Sequence, residues 1–341
     1  ACCSRAGAVA SGARQHVMVD DLVIERALDE DMRRIAPNVA SWEDVVAEHA
    51  HGAWNSTVYL VVASYRFYKA FDNLVDAAET LMGMQPVVVA LDVGTAQHFE
   101  ERGAPVVRYA PHSEKASKLH FNGDDALVRY FFTWRFASHG LRIVYSDIDV
   151  FLASNPLPFD RRAPEILIEA HAFNDEICSG FWIAKPTPSV QHMFKQLIRW
   201  ISRHCGHSLC HQTALDFSLR GVANYDLPGN FSPMELAALR GHSVRWEFLP
   251  IRQFMHYTPP RRPDTPLHWL CLGDNPVVAL HIWRAAGSAD ARVLLACAFG
   301  LWFSRTPPPN TRYPPENCRW CDVWPVPPAN MLLCGAPLPA R

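Results

Sequence analysis

Residues 140–156 read GLRIVYSDIDVFLASNP. The run Leu141 to Ser146 is apolar and rich in β-branched residues, as suits a strand buried on both faces. It delivers the chain directly into Asp147-Ile148-Asp149, and Asn155-Pro156 then turns it. In extended backbone, side chains at i and i+2 share a face, so the two carboxylates are expected to converge. Two acids that close repel unless a proton or a cation sits between them. A hard divalent ion with oxygen ligands, Mn²⁺ or Mg²⁺, suits such a pair and keeps positions open for phosphate oxygens. Held there it acts as a Lewis acid on a departing diphosphate.

Upstream of the pair, strand and helix alternate. Thr57–Ser64 and Pro86–Asp92 read as buried strands, and Val106–Tyr109 as a shorter one. Between them Phe67, Phe71, Leu74, Val75, Ala78 and Leu81 recur at helical spacing, and Thr95–Arg102 fits a short helix. Asp124–His139 carries an apolar helical face, and Gly140 stands where a left-handed cap is wanted. This alternation predicts an α/β fold with a mostly parallel twisted sheet flanked by helices. Ligands in such sheets bind beyond the carboxyl ends of the strands, where Asp147 and Asp149 fall.

Downstream the order becomes mixed. Glu165–Glu169 and Gly180–Lys185 read as strands. Thr187 caps a helix running through Ile201, and His211–Leu219 is another. Val277–His281 is a late strand, followed by a helix over Ser288–Phe303. The expected organisation is a helical extension at 1–54, one catalytic domain at 55–304 and a Pro- and Cys-rich tail at 305–341.

The chain has 341 residues, 49% hydrophobic and 19% charged, with a net charge of -2. That balance excludes whole-chain disorder and argues against the basic footprint of a nucleic-acid binder. No stretch reaches the roughly 18 apolar residues of a membrane span. A start at Ala1 leaves room for a signal or membrane anchor upstream. There are 10 cysteines. Cys318-x-x-Cys321 lies among prolines and reads as a disulfide before it reads as a zinc site. With the sequons at Asn55 and Asn230, the cysteines point toward the lumen of the Golgi or endoplasmic reticulum.

The segment from Gly140 to Pro156 resembles the signature of GT-A glycosyltransferases. It is most similar to the nucleotide-diphospho-sugar transferase family of plants and algae, which includes retaining cell-wall xylosyl-, galactosyl- and arabinosyltransferases. The resemblance covers about residues 55–285 and implies a GT-A fold, a nucleotide-diphosphate sugar donor and a glycan or glycoprotein acceptor. It implies contacts to the nucleotide at Ser64 and Tyr65, after the first strand, and at Asp92, in Ala90-Leu91-Asp92. Ser179-Gly180 resembles the family's Asn-x-Gly segment near the donor sugar, and His211-Gln212 its Asp-Gln pair. His281, ending a late apolar strand, is implied as the third metal ligand. The family's usual Lys is Arg129 here; a guanidinium can pair with phosphate, but its planar fork is not an ammonium. Asp175, Glu176 and Asp216 are candidate acids facing the anomeric carbon or the acceptor.

Two other classes remain open at this level. A haloacid-dehalogenase-type phosphohydrolase also places Asp-x-Asp after an apolar strand, but on its first strand and with a late acidic pair; here no Asp-Asp pair follows late, and Asp274 and Asp290 stand isolated. A non-catalytic glycan- or nucleotide-binding relative is compatible with the departures at Arg129, Ser179 and His211.

Overall fold

A computed structural model describes residues 56–108, 126–171, 176–204, 210–221, most of 236–257, 277–282 and a few positions between 292 and 303. The N-terminal extension, the Pro-rich tail with Cys318 and Cys321, and Asp175, Asp274 and Asp290 lie outside the described residues.

Strand β1 (Thr57–Ala63) is buried along its whole length and lies between β2 (Val87–Ala90) and β4 (Arg142–Ser146), parallel to both. Strand β3 (Val106–Arg108) continues the parallel set beyond β2. On the other side β4 pairs antiparallel with β7 (Ile177–Ala184). Strand β6 (Ile166–Ala170) then pairs antiparallel with β7 and parallel with the edge strand β8 (Trp246–Phe248). The sheet order is β3-β2-β1-β4-β7-β6-β8. This is the mostly parallel α/β layer that the alternating pattern predicts.

Helices cover both faces. On one, α1 (Phe71–Met82) and α2 (Val93–Glu101) bury Phe71, Leu74, Val75 and Phe99 with Tyr59, Val61 and Val88 of the sheet. On the other, α3 (Ala126–Ser138), α4 (Pro188–His204) and α5 (Cys210–Arg220) pack over Leu60, Val87, Ile143 and Trp182. Apolar area removed from water at about 25 cal/mol per Å² is the main driving force for this layering. Among the described residues no helix is long and apolar enough to cross a membrane.

Gly140 ends α3 with φ of 78°, and the Leu141 N–H closes back on the Phe136 carbonyl at 3.1 Å. That cap turns the chain into β4, and β4 positions the acidic pair.

Three strands depart from the sequence reading. Val150–Leu152 (β5), Phe254–Tyr257 (β9) and Ala279–Ile282 (β10) form a second sheet in the order β5-β10-β9, of which only β10 is expected from the sequence. Strand β8 is the third departure. The sequence predicts one helix over Ser288–Phe303; of its described positions Arg292, Val293 and Ala296 are helical, while Leu301 and Phe303 are not.

Candidate active site

The acidic pair is presented by a turn, which corrects the expectation of continued strand. Strand β4 stops at Ser146, and the Val150 N–H donates to the Asp147 carbonyl at 3.1 Å before β5 begins. The Asp147 N–H is fixed on the Gly180 carbonyl at 2.7 Å, and the Asp149 carbonyl accepts from Ile282 N–H at 3.0 Å. The turn is thus clamped between β7 of the large sheet and β10 of the small one. Ile148 points into the core, and the carboxylates on either side of it still converge.

His281 completes the set. It stands on β10 opposite Val150, one residue past Asp149. Ligand atoms of Asp147, Asp149 and His281 all lie within 4.8 Å of one another. Two carboxylates and an imidazole suit Mn²⁺ or Mg²⁺, and the Asp147 side chain, 24% exposed, opens the set toward solvent. The residues present therefore fit a divalent ion.

Each acid also faces an arginine. Arg129 on α3 donates from Nη1 to Asp147, with the nearer oxygen at 2.9 Å, and to the Ser179 carbonyl at 3.1 Å. Arg292 donates to Asp149 Oδ2 at 3.0 Å. Tyr145 donates its hydroxyl to Asp147 Oδ1 at 2.5 Å. Buried Glu169 on β6 faces His281 Nδ1 at 3.1 Å, while His281 Nε2 is 3.4 Å from Asp149. This carboxylate–imidazole contact orients the ring so that Nε2 meets the acidic pair.

The electrostatics follow. Burial pushes the Asp147 carboxyl up, against the pull of Arg129, and the charge of Asp149 adds to the rise. Burial also works on Asp149, but His281 and Arg292 outweigh it and hold that carboxyl below its ordinary value. Burial depresses His281, yet Glu169, Cys178 and Asp149 hold its imidazolium well above the usual range. Whichever of Glu169 and His281 keeps the shared proton, the three acids and three bases sum to zero. An added divalent ion upsets that balance, and a diphosphate restores it.

The other predicted residues fall into two groups. Ser179 and Gly180 lie on β7 against the acidic turn, and Ser179 Oγ donates to Gln212 Oε1 at 3.3 Å. An added Cβ on Gly180 would stand 2.3 Å from His281 Cε1, so only glycine lets the ring approach. Glu176 and Asp216 are both buried near the start of β7, and the charge of Glu176 adds to the rise of the Asp216 carboxyl. Asp216 also faces Arg220 at 3.4 Å.

The second group lies at the ends of β1 and β2. Asp92 caps α2, accepting from Thr95 N–H at 2.8 Å and from Tyr65 N–H at 2.7 Å. Its carboxylate thereby ties the two strand ends together. Tyr65 (47% exposed) stacks on Tyr68 (41% exposed) with ring centroids 5.1 Å apart. Ser64 precedes them in extended conformation.

The sequence reading missed Tyr145, Glu169 and Arg292. An acid inside the buried strand ILIEA was the available signal for Glu169, because an ionisable group there demands a partner. Arg292 carried no comparable signal.

Burial pushes the Asp216 carboxyl up to about 6, above its ordinary 3.8, despite Arg220. A raised carboxyl pKa costs nothing below the unfolded value, and the cost is complete above the folded one. Asp216→Asn will therefore gain stability over wild type as pH rises from about 4 to about 6, by up to about 2 kcal/mol once the full linkage of about 3 kcal/mol is reduced for solvent screening. Thermal melts of both proteins across that range check the sign. A difference that stays flat with pH contradicts it.

The family model described as nucleotide-diphospho-sugar transferase matches residues 82–284, more than half of the chain. Comparison with curated proteins gives no match. Mouse xyloside xylosyltransferase 1 in its apo form aligns at 11% identity over 67% of this chain and 98% of its own, with a TM-score of 0.37. An active-site mutant of LgtC aligns at 11% identity over 67% and 88%, with a TM-score of 0.39. A glycosyltransferase involved in glycosylating the major capsid of PBCV-1 aligns at 11% identity over 69% and 96%, with a TM-score of 0.34. With its acidic turn clamped at the strand ends and the family match running through that turn, the chain belongs to the nucleotide-diphospho-sugar transferases and is a glycosyltransferase.

Proposed function

We propose that this glycosyltransferase takes its sugar from a UDP-sugar with the help of Mn²⁺ or Mg²⁺. It passes the sugar to a hydroxyl of a glycan or glycoprotein, with retention of anomeric configuration. The observation that carries this reading is the convergence of Asp147, Asp149 and His281 beyond the ends of the strands. These three residues would hold the ion, whose chemistry is to neutralise charge on the departing diphosphate.

The chain's own residues do the rest. The exposed face of Tyr65, backed by Tyr68, stacks the nucleotide base. Arg129 and Arg292 exchange part of their hold on the aspartates for phosphate oxygens, which keeps charge balanced as the donor enters. Ser179, Gly180 and Gln212 border the sugar. Glu176, Asp216 and Asp175 are the acids available to the anomeric carbon and the acceptor. Asp216, with its raised carboxyl, exchanges a proton near neutral pH more readily than an ordinary Asp. The Cys and sequon content favours a lumenal setting in the Golgi or endoplasmic reticulum, with anchoring upstream of Ala1. Residues 55–304 form the catalytic unit, and the resemblance around the acidic pair favours a role like that of the cell-wall enzymes of plants and algae.

Calorimetry tests the donor site. Because acids and bases already balance, UDP and Mn²⁺ will bind cooperatively, each tightening the other by about tenfold or more. Tyr65→Ala will weaken UDP by about 5- to 30-fold, the loss of one base–aromatic stack. Equal UDP affinity with and without Mn²⁺ contradicts the ion site. Unchanged affinity in Tyr65→Ala contradicts the stack.

A further inference from the structure

The other nitrogen of His281 faces a second buried donor set. Strand β9 runs parallel to β10 with His256 in register with His281, and the two rings stand 4.8 Å apart, edge to face. From the opposite sheet Cys178 on β7 brings its sulfur to 3.3 Å from His281 Nδ1. Ligand atoms of Cys178, His256 and His281 lie within 4.8 Å of one another, and all three residues are buried. Cys178 is a free thiol. Glu169 Oε2, 3.1 Å from the same nitrogen, adds an oxygen donor. Half-buried His171 packs against His256 with the rings tilted and their centroids 4.1 Å apart, and offers a more accessible imidazole beside the set.

We propose that Cys178, His256 and His281 Nδ1, with Glu169, form a Zn²⁺ site distinct from the ion site of the acidic turn. One thiolate, two imidazoles and a carboxylate are the donors zinc prefers, and hard Mn²⁺ or Mg²⁺ does not favour sulfur. Tetrahedral zinc holds sulfur and nitrogen ligands about 3.5 Å apart, close to the separation already present between Cys178 and His281. On binding, the sulfur–hydrogen bond is replaced by a sulfur–zinc bond, and two protons are released to solvent, one from the thiol and the one shared by Glu169 and His281.

The two sites share one ring. A neutral imidazole has one lone pair and one N–H. With the proton on Nδ1, facing Glu169, Nε2 is free for the ion at Asp147 and Asp149. With zinc on Nδ1, the proton moves to Nε2 and is donated to Asp149, so His281 no longer serves the transfer ion. Zinc is therefore an inhibitor competing through His281. This inhibition rests on the proposed role of His281 in sugar transfer; the zinc site itself does not.

Co²⁺ stands in for Zn²⁺ as a spectroscopic probe on the whole reduced chain. The expected result is a sulfur-to-cobalt charge-transfer band that Zn²⁺ displaces and that weakens in Cys178→Ser against the background of the other cysteines. His256→Asn, a variant that keeps the thiol, will lose about tenfold or more in Zn²⁺ affinity. Zn²⁺ inhibition of donor hydrolysis at fixed Mn²⁺ will weaken by a similar factor in both variants. Thermal melts identify a variant that has not folded, and the other then carries the test. A band, a Zn²⁺ affinity and a Zn²⁺ sensitivity all unchanged in a folded variant overturn the site. Loss of the band with unchanged Zn²⁺ sensitivity keeps the site and overturns the competition, and with it the assignment of His281 to the transfer ion.

Discussion

Asp149→Asn will lower sugar transfer by about a thousandfold, the scale of losing a preorganised electrostatic contact to developing charge. Asn keeps the shape but not the charge, so the turn survives while the proposed ion site loses a ligand. Arg292 and His281 lose their shared carboxylate, and stability falls by about 1–3 kcal/mol. The rate effect corresponds to about 4 kcal/mol and exceeds the stability cost. Initial rates and melting temperatures measured together separate the two. A folded Asp149→Asn protein with activity within tenfold of wild type removes Asp149 from the donor site.

The second large effect is expected at Gly180, which contributes no functional group. A methyl there meets His281 Cε1 at 2.3 Å and Nδ1 at 2.5 Å, well inside contact distance. The ring cannot retreat easily, because Glu169 and His256 stand beside it. Either His281 leaves Asp149 or the two sheets move apart. Gly180→Ala will cost about 1–3 kcal/mol of stability, the usual scale of overpacking. Activity will fall about a hundredfold, as expected for a misplaced group. The mechanism makes a sharper statement about pairs. In a His281→Ala background the obstructing ring is gone, so the stability penalty of Gly180→Ala will largely vanish. Additive penalties in the double mutant contradict the steric explanation.

Much of this was legible in the sequence, for identifiable physical reasons. Strands β1, β2 and β4 are central and buried on both faces, so they read as continuous apolar runs. Gly140 announced the end of α3 because a left-handed cap excludes most other residues. The acidic pair stood out because charge at the end of a buried strand needs a reason.

The misses have equally definite causes. Strands β5 and β8 have three residues each, and β8 is a half-exposed edge of mixed polarity, too short for any period to show. Strand β9 is four residues long and carries a His, and its partner β10 is distant in sequence. Strand β7 begins at Ile177, three residues before the expected start, because Cys178-Ser179-Gly180 lacks the bulk that marks a strand. Gly180 among them is what lets His281 in. Asp147 and Asp149 converge through a turn that no i, i+2 rule describes, and the contact of Arg292 with Asp149 comes from tertiary packing alone.

Release of UDP from a panel of UDP-sugars, with GDP-sugars in parallel, is the decisive measurement. Each donor is run with Mn²⁺ and after chelation, on wild type and on Asp149→Ala. Slow hydrolysis of a UDP-sugar that requires the metal and disappears in the variant is expected, and it names the donor. No release from any nucleotide sugar, together with nucleotide binding indifferent to metal, would contradict the proposed transfer chemistry at Asp147, Asp149 and His281.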